Sequence, residues 1–138
     1  MQSLLPPKSS PHPFDLKERS IWVFGGAGYL GAAVVSQLAE MQARVLCVDL
    51  AERAVEMVST AGLQAHVSAA SLNAADTAAV EAFVQEQIAM HGVPHGLVVM
   101  TYASTAKRFE DLTAEDFDMA NHGNLTATFA LARAVGQH

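Results

Sequence analysis

Between residues 23 and 35 the chain reads VFGGAGYLGAAVV, with four glycines in seven positions between an apolar run and a helix-like one. This stretch constrains the fold more than any other. A strand that passes into a helix through so short a link must reverse sharply. Gly25 can take the positive φ such a turn needs at no steric cost. A second glycine, Gly28, leaves the backbone bare where a ligand phosphate would approach. A third, Gly31, lets the new helix pack closely on the strand. The helix start, near Leu30, then presents free N–H groups and the positive end of the helix dipole.

The rest of the chain repeats that unit. Strand-like runs at residues 20–25, 43–50, 65–70 and 95–103 alternate with helical patterns at residues 30–41, 52–60 and 76–90, and with one beginning near Ala114. Leu30, Val34, Val35, Leu38 and Met41 mark one face of the first helix, and Val80, Phe83, Val84, Gln87 and Ile88 one face of the third. Gly62 closes the second helix, Gly92 and Pro94 stop the third, and Thr113 with Asp116 forms a capping box for the last. Alternation of this kind with short links predicts a parallel, right-handed α/β sheet over residues 15–138. Residues 1–14 hold four of the five prolines and read as an irregular tail, pinned to the domain by Phe14 or Leu16.

Composition excludes several functions. A formal charge of −6 with only eight Lys and Arg argues against a nucleic-acid or anionic-membrane surface. No apolar run reaches the roughly 18 residues of a membrane span, and the first residues lack a signal-peptide layout. The single cysteine, Cys47, sits in an apolar strand pattern, which predicts a buried, inert thiol and a reducing, cytoplasmic setting. His91 and His95 have metal-pair spacing, but Gly92 and Pro94 break the helix between them, so no metal is expected. His12, His66 and His138 form no constellation, and Trp22 reads as core. The acids Glu110, Asp111, Glu115, Asp116 and Asp118 read as a solvated helix start.

The glycine loop has the context that a dinucleotide needs. Asp49 ends the next strand, 18 residues past Gly31, near the roughly 20-residue offset of a carboxylate that binds a ribose hydroxyl. Such a carboxylate repels a 2′-phosphate and favours NAD over NADP. Arg53, four residues on, softens that preference.

At this point the chain resembles the short-chain dehydrogenase/reductase family over residues 16–135. FGGAGYLG is similar to the family's Thr-Gly-x-x-x-Gly-x-Gly loop, in the glycine spacing of its longer, sugar-epimerising branch, with Phe24 where Thr is usual. GLVVMTYAS resembles the strand that normally ends Leu-Val-Asn-Asn-Ala-Gly, with Thr101 and Tyr102 replacing the two asparagines. FEDLTAEDFDMANHGNLTATFALARAV resembles the following helix of the compact branch, whose Asn-Leu landmark matches Asn124 and Leu125.

The resemblance implies a Rossmann-like, doubly wound sheet of order 3-2-1-4. It also implies that Gly25, Gly28, Tyr29, Leu30 and Gly31 hold the pyrophosphate, and that Asp49 with Leu50 holds the adenosine ribose. The adenine contact falls on Ser71 and Leu72 or on Asn73. Ala103 and Ser104 run beside the ribose, and Asn124, next to Gly123, bends its helix and holds a water in a proton relay. The implied chemistry is hydride transfer between a nicotinamide and a carbonyl or alcohol. A Tyr, a Lys four residues later and a Ser act on the substrate.

In the family those residues follow the Asn helix, and this chain runs only 14 residues from Asn124 to His138. Tyr29 is followed at the fourth position by Ala33, and Tyr102 has Lys107 at the fifth. The expectation is therefore the cofactor half of an NAD(P)-dependent oxidoreductase, inactive by itself, with an apolar edge at residues 97–100 that needs cover. The family also implies a homo-oligomer. Two alternatives stand beside this reading: a sugar-nucleotide epimerase or dehydratase, and a non-catalytic dinucleotide-binding scaffold.

Overall fold

The computed structural model describes residues 15–138; the expected tail at residues 1–14 lies outside the described residues. Four strands, β1 (Ser20–Phe24), β2 (Arg44–Asp49), β3 (Val67–Ser71) and β4 (Gly96–Val99), form one parallel sheet of order β3-β2-β1-β4. Three helices connect them: α1 (Tyr29–Glu40), α2 (Arg53–Thr60) and α3 (Thr77–His91). The last helical segment runs as α4 (Ala114–Asn121), a π-helical stretch (His122–Thr126) and α5 (Ala127–Gly136).

Alternate side chains of a strand face opposite sides of a sheet, and both sides are apolar here. Val23, Val45 and Cys47 face α1 and α2, meeting Val35, Ala39, Ala54 and Val58. Trp22, Phe24, Leu46 and Val48 face the other way, against Val80 and Val84 of α3 and Ala127 and Leu131 of α5. The result is three layers with β1 and β2 at the centre. Phe24 fills core space and meets Phe83 edge to face at 6.1 Å. Burying an aromatic of this size is worth about 1.5–3 kcal/mol.

Several expectations need adjustment. Leu30 is 63% exposed and leaves the buried stripe of α1, where Gly31, Val35 and Ala39 take its place. β4 is shorter than the apolar run suggests. Its last ladder bond joins the Met100 N–H to the Phe24 carbonyl, and the chain then departs to meet the last helix. Asp116 is not a solvated acid: its side chain is 8% exposed and pairs with Lys107. The capping box forms, with the Asp116 N–H donating to Thr113 Oγ1 and the Thr113 N–H to Asp116 Oδ2. Leu16 packs against the α1/α2 side of the core. Among the described residues no helix is long and apolar enough to cross a membrane.

Candidate functional site: a cleft at the strand ends

At the carboxyl ends of β1, β2 and β4 the chain forms a cleft of about 540 Å³. Open α/β sheets bind ligands at this position, where successive strands depart to opposite sides of the first. Its floor is the glycine loop. Gly25 has φ +76, and a Cβ there would lie 2.7 Å from Met100 C and Thr101 N, so the loop packs tightly against the end of β4. A Cβ at Gly31 would lie 2.0 Å from the Gly25 carbonyl oxygen, so only glycine lets α1 start this close to β1. A Cβ at Gly28 would meet the Gly25 carbonyl oxygen at 3.3 Å, and this glycine lines the open cleft.

The start of α1 is short of acceptors. Gly28 is its N-cap and no side chain caps the helix. The N–H groups of the first helical turn have no carbonyl behind them. These N–H groups, those of Tyr29 and Leu30 among them, open the helix whose positive dipole end borders the cleft. That is the chemistry of an anion site.

Across the loop lies Asp49. Its Oδ2 accepts the Ala27 N–H at 2.9 Å and its Oδ1 accepts the Leu50 N–H at 2.8 Å, while Arg53 Nη1 stands 3.3 Å from Oδ1. The carboxylate therefore ties the glycine loop to the end of β2. Below it, burial pushes the Cys47 thiol up to about 11, with the negative charge of Asp49 adding to the effect. The sulfur sits under the loop, 2.6 Å from where a Cβ on Gly26 would be.

The far wall comes from the chain after β4. Asn124 lies in the π-helical stretch, and its whole amide is spent on backbone. Oδ1 accepts the Ala103 N–H at 2.9 Å, and Nδ2 donates to the Ala103 carbonyl at 2.7 Å and the Ala120 carbonyl at 2.8 Å. Gly123 admits the approach, since a Cβ there would lie 2.4 Å from Ala103 Cβ. Thr128 Oγ1 donates to the Asn124 carbonyl at 2.6 Å. The Thr101 hydroxyl, in the cleft wall, is buried and has no hydrogen-bond partner among the described residues.

Of the residues singled out from the sequence, Gly25, Gly28, Tyr29, Leu30, Gly31, Asp49, Leu50, Leu72 and Ala103 line this one cleft. Ser71 and Ser104 are exposed and do not line it; Asn73, Ala74 and Ala75 do. Asn124 borders the cleft through Ala103 rather than lining it. Other residues of the cleft escaped the sequence reading as site residues, Val48, Ala74, Ala75, Met100 and Gly123 among them. His122 places Nε2 2.7 Å from the Ala75 carbonyl, tying the last helix to the loop after β3. Partners 47 residues apart leave no local signal. Among the described residues neither Tyr29 nor Tyr102 pairs with a lysine, and Lys107 is held by Asp116.

Comparison with known proteins agrees with this geometry. The family model described as short chain dehydrogenase matches residues 19–138. The chain is 31% identical over 135 residues to the probable galactose dehydrogenase GalD of Rhizobium meliloti, covering 94% of this chain and 52% of that protein. It is 29% identical over 126 residues to D-threitol dehydrogenase of Mycolicibacterium smegmatis, covering 90% and 48%. It superposes on the crystal structure of gox2181 with TM-score 0.82 at 30% identity, covering 90% of this chain and 49% of that one. A short-chain dehydrogenase/reductase from Serratia marcescens gives TM-score 0.79 at 27% identity, with coverage of 90% and 52%. The chain spans about half the length of the curated relatives it matches. A glycine-floored cleft at the ends of a 3-2-1-4 parallel sheet and a family match from Arg19 to the last residue lead to one conclusion: this chain belongs to the short-chain dehydrogenase family.

Proposed function

We propose that the cleft binds a nicotinamide dinucleotide and that the chain supplies the cofactor-holding part of an NAD(P)-dependent oxidoreductase. One observation carries the reading: an uncapped helix start beside Gly28 opens onto the cleft whose opposite rim holds the Asp49 carboxylate. The N–H groups of α1 take the pyrophosphate, and Asp49 takes the adenosine ribose in preference to a 2′-phosphate, so NAD is the favoured cofactor. Leu72 and Asn73 flank the adenine, Ala103 runs beside the sugar, and Asn124 holds Ala103 in place. When bound, the nicotinamide accepts or donates a hydride at a carbon of an alcohol or carbonyl substrate.

Titration of the chain with NADH and NADPH by calorimetry tests the reading. NADH binding is expected, tighter than NADPH; no heat from either at about 1 mM, a ligand affinity near −4 kcal/mol, would refute it. For the substrate, the curated relatives are named for a sugar and a polyol, so a turnover screen of a chain extended to include the Tyr and Lys that follow the Asn helix in the family starts with galactose and threitol. The glycine spacing favours a second reading, an epimerase or dehydratase, which restores its cofactor each cycle. Accumulation of NADH in step with product separates the two. Self-association is supported by the exposed apolar side chains Phe117, Leu125 and Phe129 along the last helical segment, and light scattering checks it. The buried thiol of Cys47 suits a cytoplasmic setting.

A further inference from the structure

A pocket of about 200 Å³ lies at the amino ends of β1, β2 and β3, the end of the sheet away from the cleft. The register sets Ser20 beside Arg44, Trp22 beside Leu46 and Leu46 beside Ser68. Alternate strand residues share a face, so these five stand on one side of the sheet, the side that α3 covers. The end of α3 adds His91, and the turn before β3 adds Gln64 and His66.

Two observations give this pocket a ligand chemistry. Trp22 is fully buried, and its indole N–H has no hydrogen-bond partner among the described residues. Its core neighbours Phe24, Val80 and Val84 are hydrocarbon and hold no acceptor. Buried donors in native proteins are nearly always paired, so this one calls for an acceptor from the pocket that Trp22 lines. The second observation is charge. The lining carries the cation of Arg44 and the ionisable rings of His66 and His91 but no carboxylate, and Arg44 forms no salt bridge among the described residues. The C-terminal end of α3 sets about half a negative charge against an anion, which the full charge of Arg44 exceeds. Leu46 and Ala65 keep part of the wall apolar.

We propose that this pocket binds a small organic carboxylate. Its oxygens take the Trp22 N–H and the Arg44 guanidinium, and its hydrocarbon part rests on Leu46 and Ala65. Trp22 and Arg44 are diagonal neighbours on adjacent strands, a separation that aromatic and long side chains span. The planar fork of a guanidinium matches the two oxygens of a carboxylate. At about 30 Å³ per water the volume equals six or seven waters, room for a compact acid and not for a nucleotide.

Trp22 is the only tryptophan of the chain, so its fluorescence reports on the pocket directly. The full chain is titrated at constant ionic strength with cyclohexanecarboxylate, with the uncharged cyclohexanecarboxamide and with inorganic phosphate. The carboxylate should change Trp22 emission saturably, with its midpoint below about 10 mM, and the amide should not. Arg44→Ala should weaken the carboxylate about tenfold, and Arg44→Lys, which keeps the cation, should recover part of that loss. An unchanged circular dichroism melt excludes a folding defect in either variant; should Arg44→Ala not fold, the carboxylate and amide on the native chain still decide. No saturation by about 10 mM, an equal response to the amide, or full affinity in folded Arg44→Ala overturns the proposal. Phosphate binding as tight as that of the carboxylate overturns the assignment to an organic acid.

Discussion

Replacing Asn124 by Ala tests the contact that shapes the far wall of the cleft. The substitution strands the part-buried Ala103 N–H, which accounts for most of the cost, since a donor left without an acceptor costs about 1–3 kcal/mol, toward the lower end where water reaches it. The carbonyls of Ala103 and Ala120 each lose a donor, adding about 0.5–1 kcal/mol apiece because each retains a second lone pair. The expected loss is therefore about 2–5 kcal/mol. An unfolding entropy of about 2 cal/mol/K per residue makes each kcal/mol worth about 4 °C in a domain of this size, so Tm should fall by about 8–20 °C. Amide exchange followed by NMR locates the effect: the Ala103 N–H should exchange faster, ahead of amides in β1 and β2. Asn124→Asp sharpens the test. It keeps an acceptor for the Ala103 N–H but turns a carboxylate toward two carbonyl oxygens, which raises its folded pKa. A raised folded pKa means stability present at low pH and lost as pH rises through that value. The deficit of Asn124→Asp against the native chain should thus shrink between pH 7 and about pH 4.5. A fall in Tm of less than about 2 °C for Asn124→Ala with unchanged exchange at Ala103 would show that the amide does not hold this wall.

Other expectations follow from the same geometry. Gly31→Ala puts a methyl 2.0 Å from the Gly25 carbonyl oxygen, so unfolding by urea should show a loss of about 3 kcal/mol or more together with loss of NADH binding. Gly28→Ala meets only a 3.3 Å contact and should cost less than about 1 kcal/mol, yet weaken NADH about tenfold by filling the open side of the loop; equal effects on folding and binding would contradict the division of labour between the two glycines. Asp116 is held below the usual carboxylate range, at about 2, by the ammonium of Lys107 and then by Thr113. Its stabilising effect is full above the ordinary value of 3.8 and is lost as pH falls toward 2, so Asp116→Asn should flatten the acid limb of a stability–pH curve. Cys47, buried and with its thiol at about 11, should react with a thiol reagent at pH 8 only as fast as the chain opens; rapid labelling in the folded state would contradict the placement of the sulfur beneath the glycine loop.

Much of the fold and the floor of the cleft were legible because their determinants are local. The glycine spacing dictates the strand–turn–helix at Gly25–Gly31, and the capping box at Thr113 and Asp116 announces α4; both form. Asp49 was found through a fixed offset within one βαβ unit, and it lies in the cleft. What stayed hidden depends on distant partners. Asp116 reads as a surface acid until Lys107 folds back onto it. β4 ends where its ladder partner β1 ends, at the register pair Phe24 and Val99, not with its own apolar run. Ser71 ends β3 opposite Asp49 in register, and it is the next residue, Leu72, that reaches the cleft.

The pairing of Arg53 with Asp49 has a kinetic side. Among the described residues the lining holds one cation and one carboxylate, which cancel, so the positive end of α1 is the local pull on an anion while the chain as a whole carries −6. An anionic dinucleotide therefore diffuses toward a like-charged body with only the short-ranged helix end to draw it in. Added salt shortens the reach of that repulsion to about 10 Å at 0.1 M. Association should consequently speed up as ionic strength rises, the reverse of what a phosphate-binding cleft rich in lysine and arginine would do.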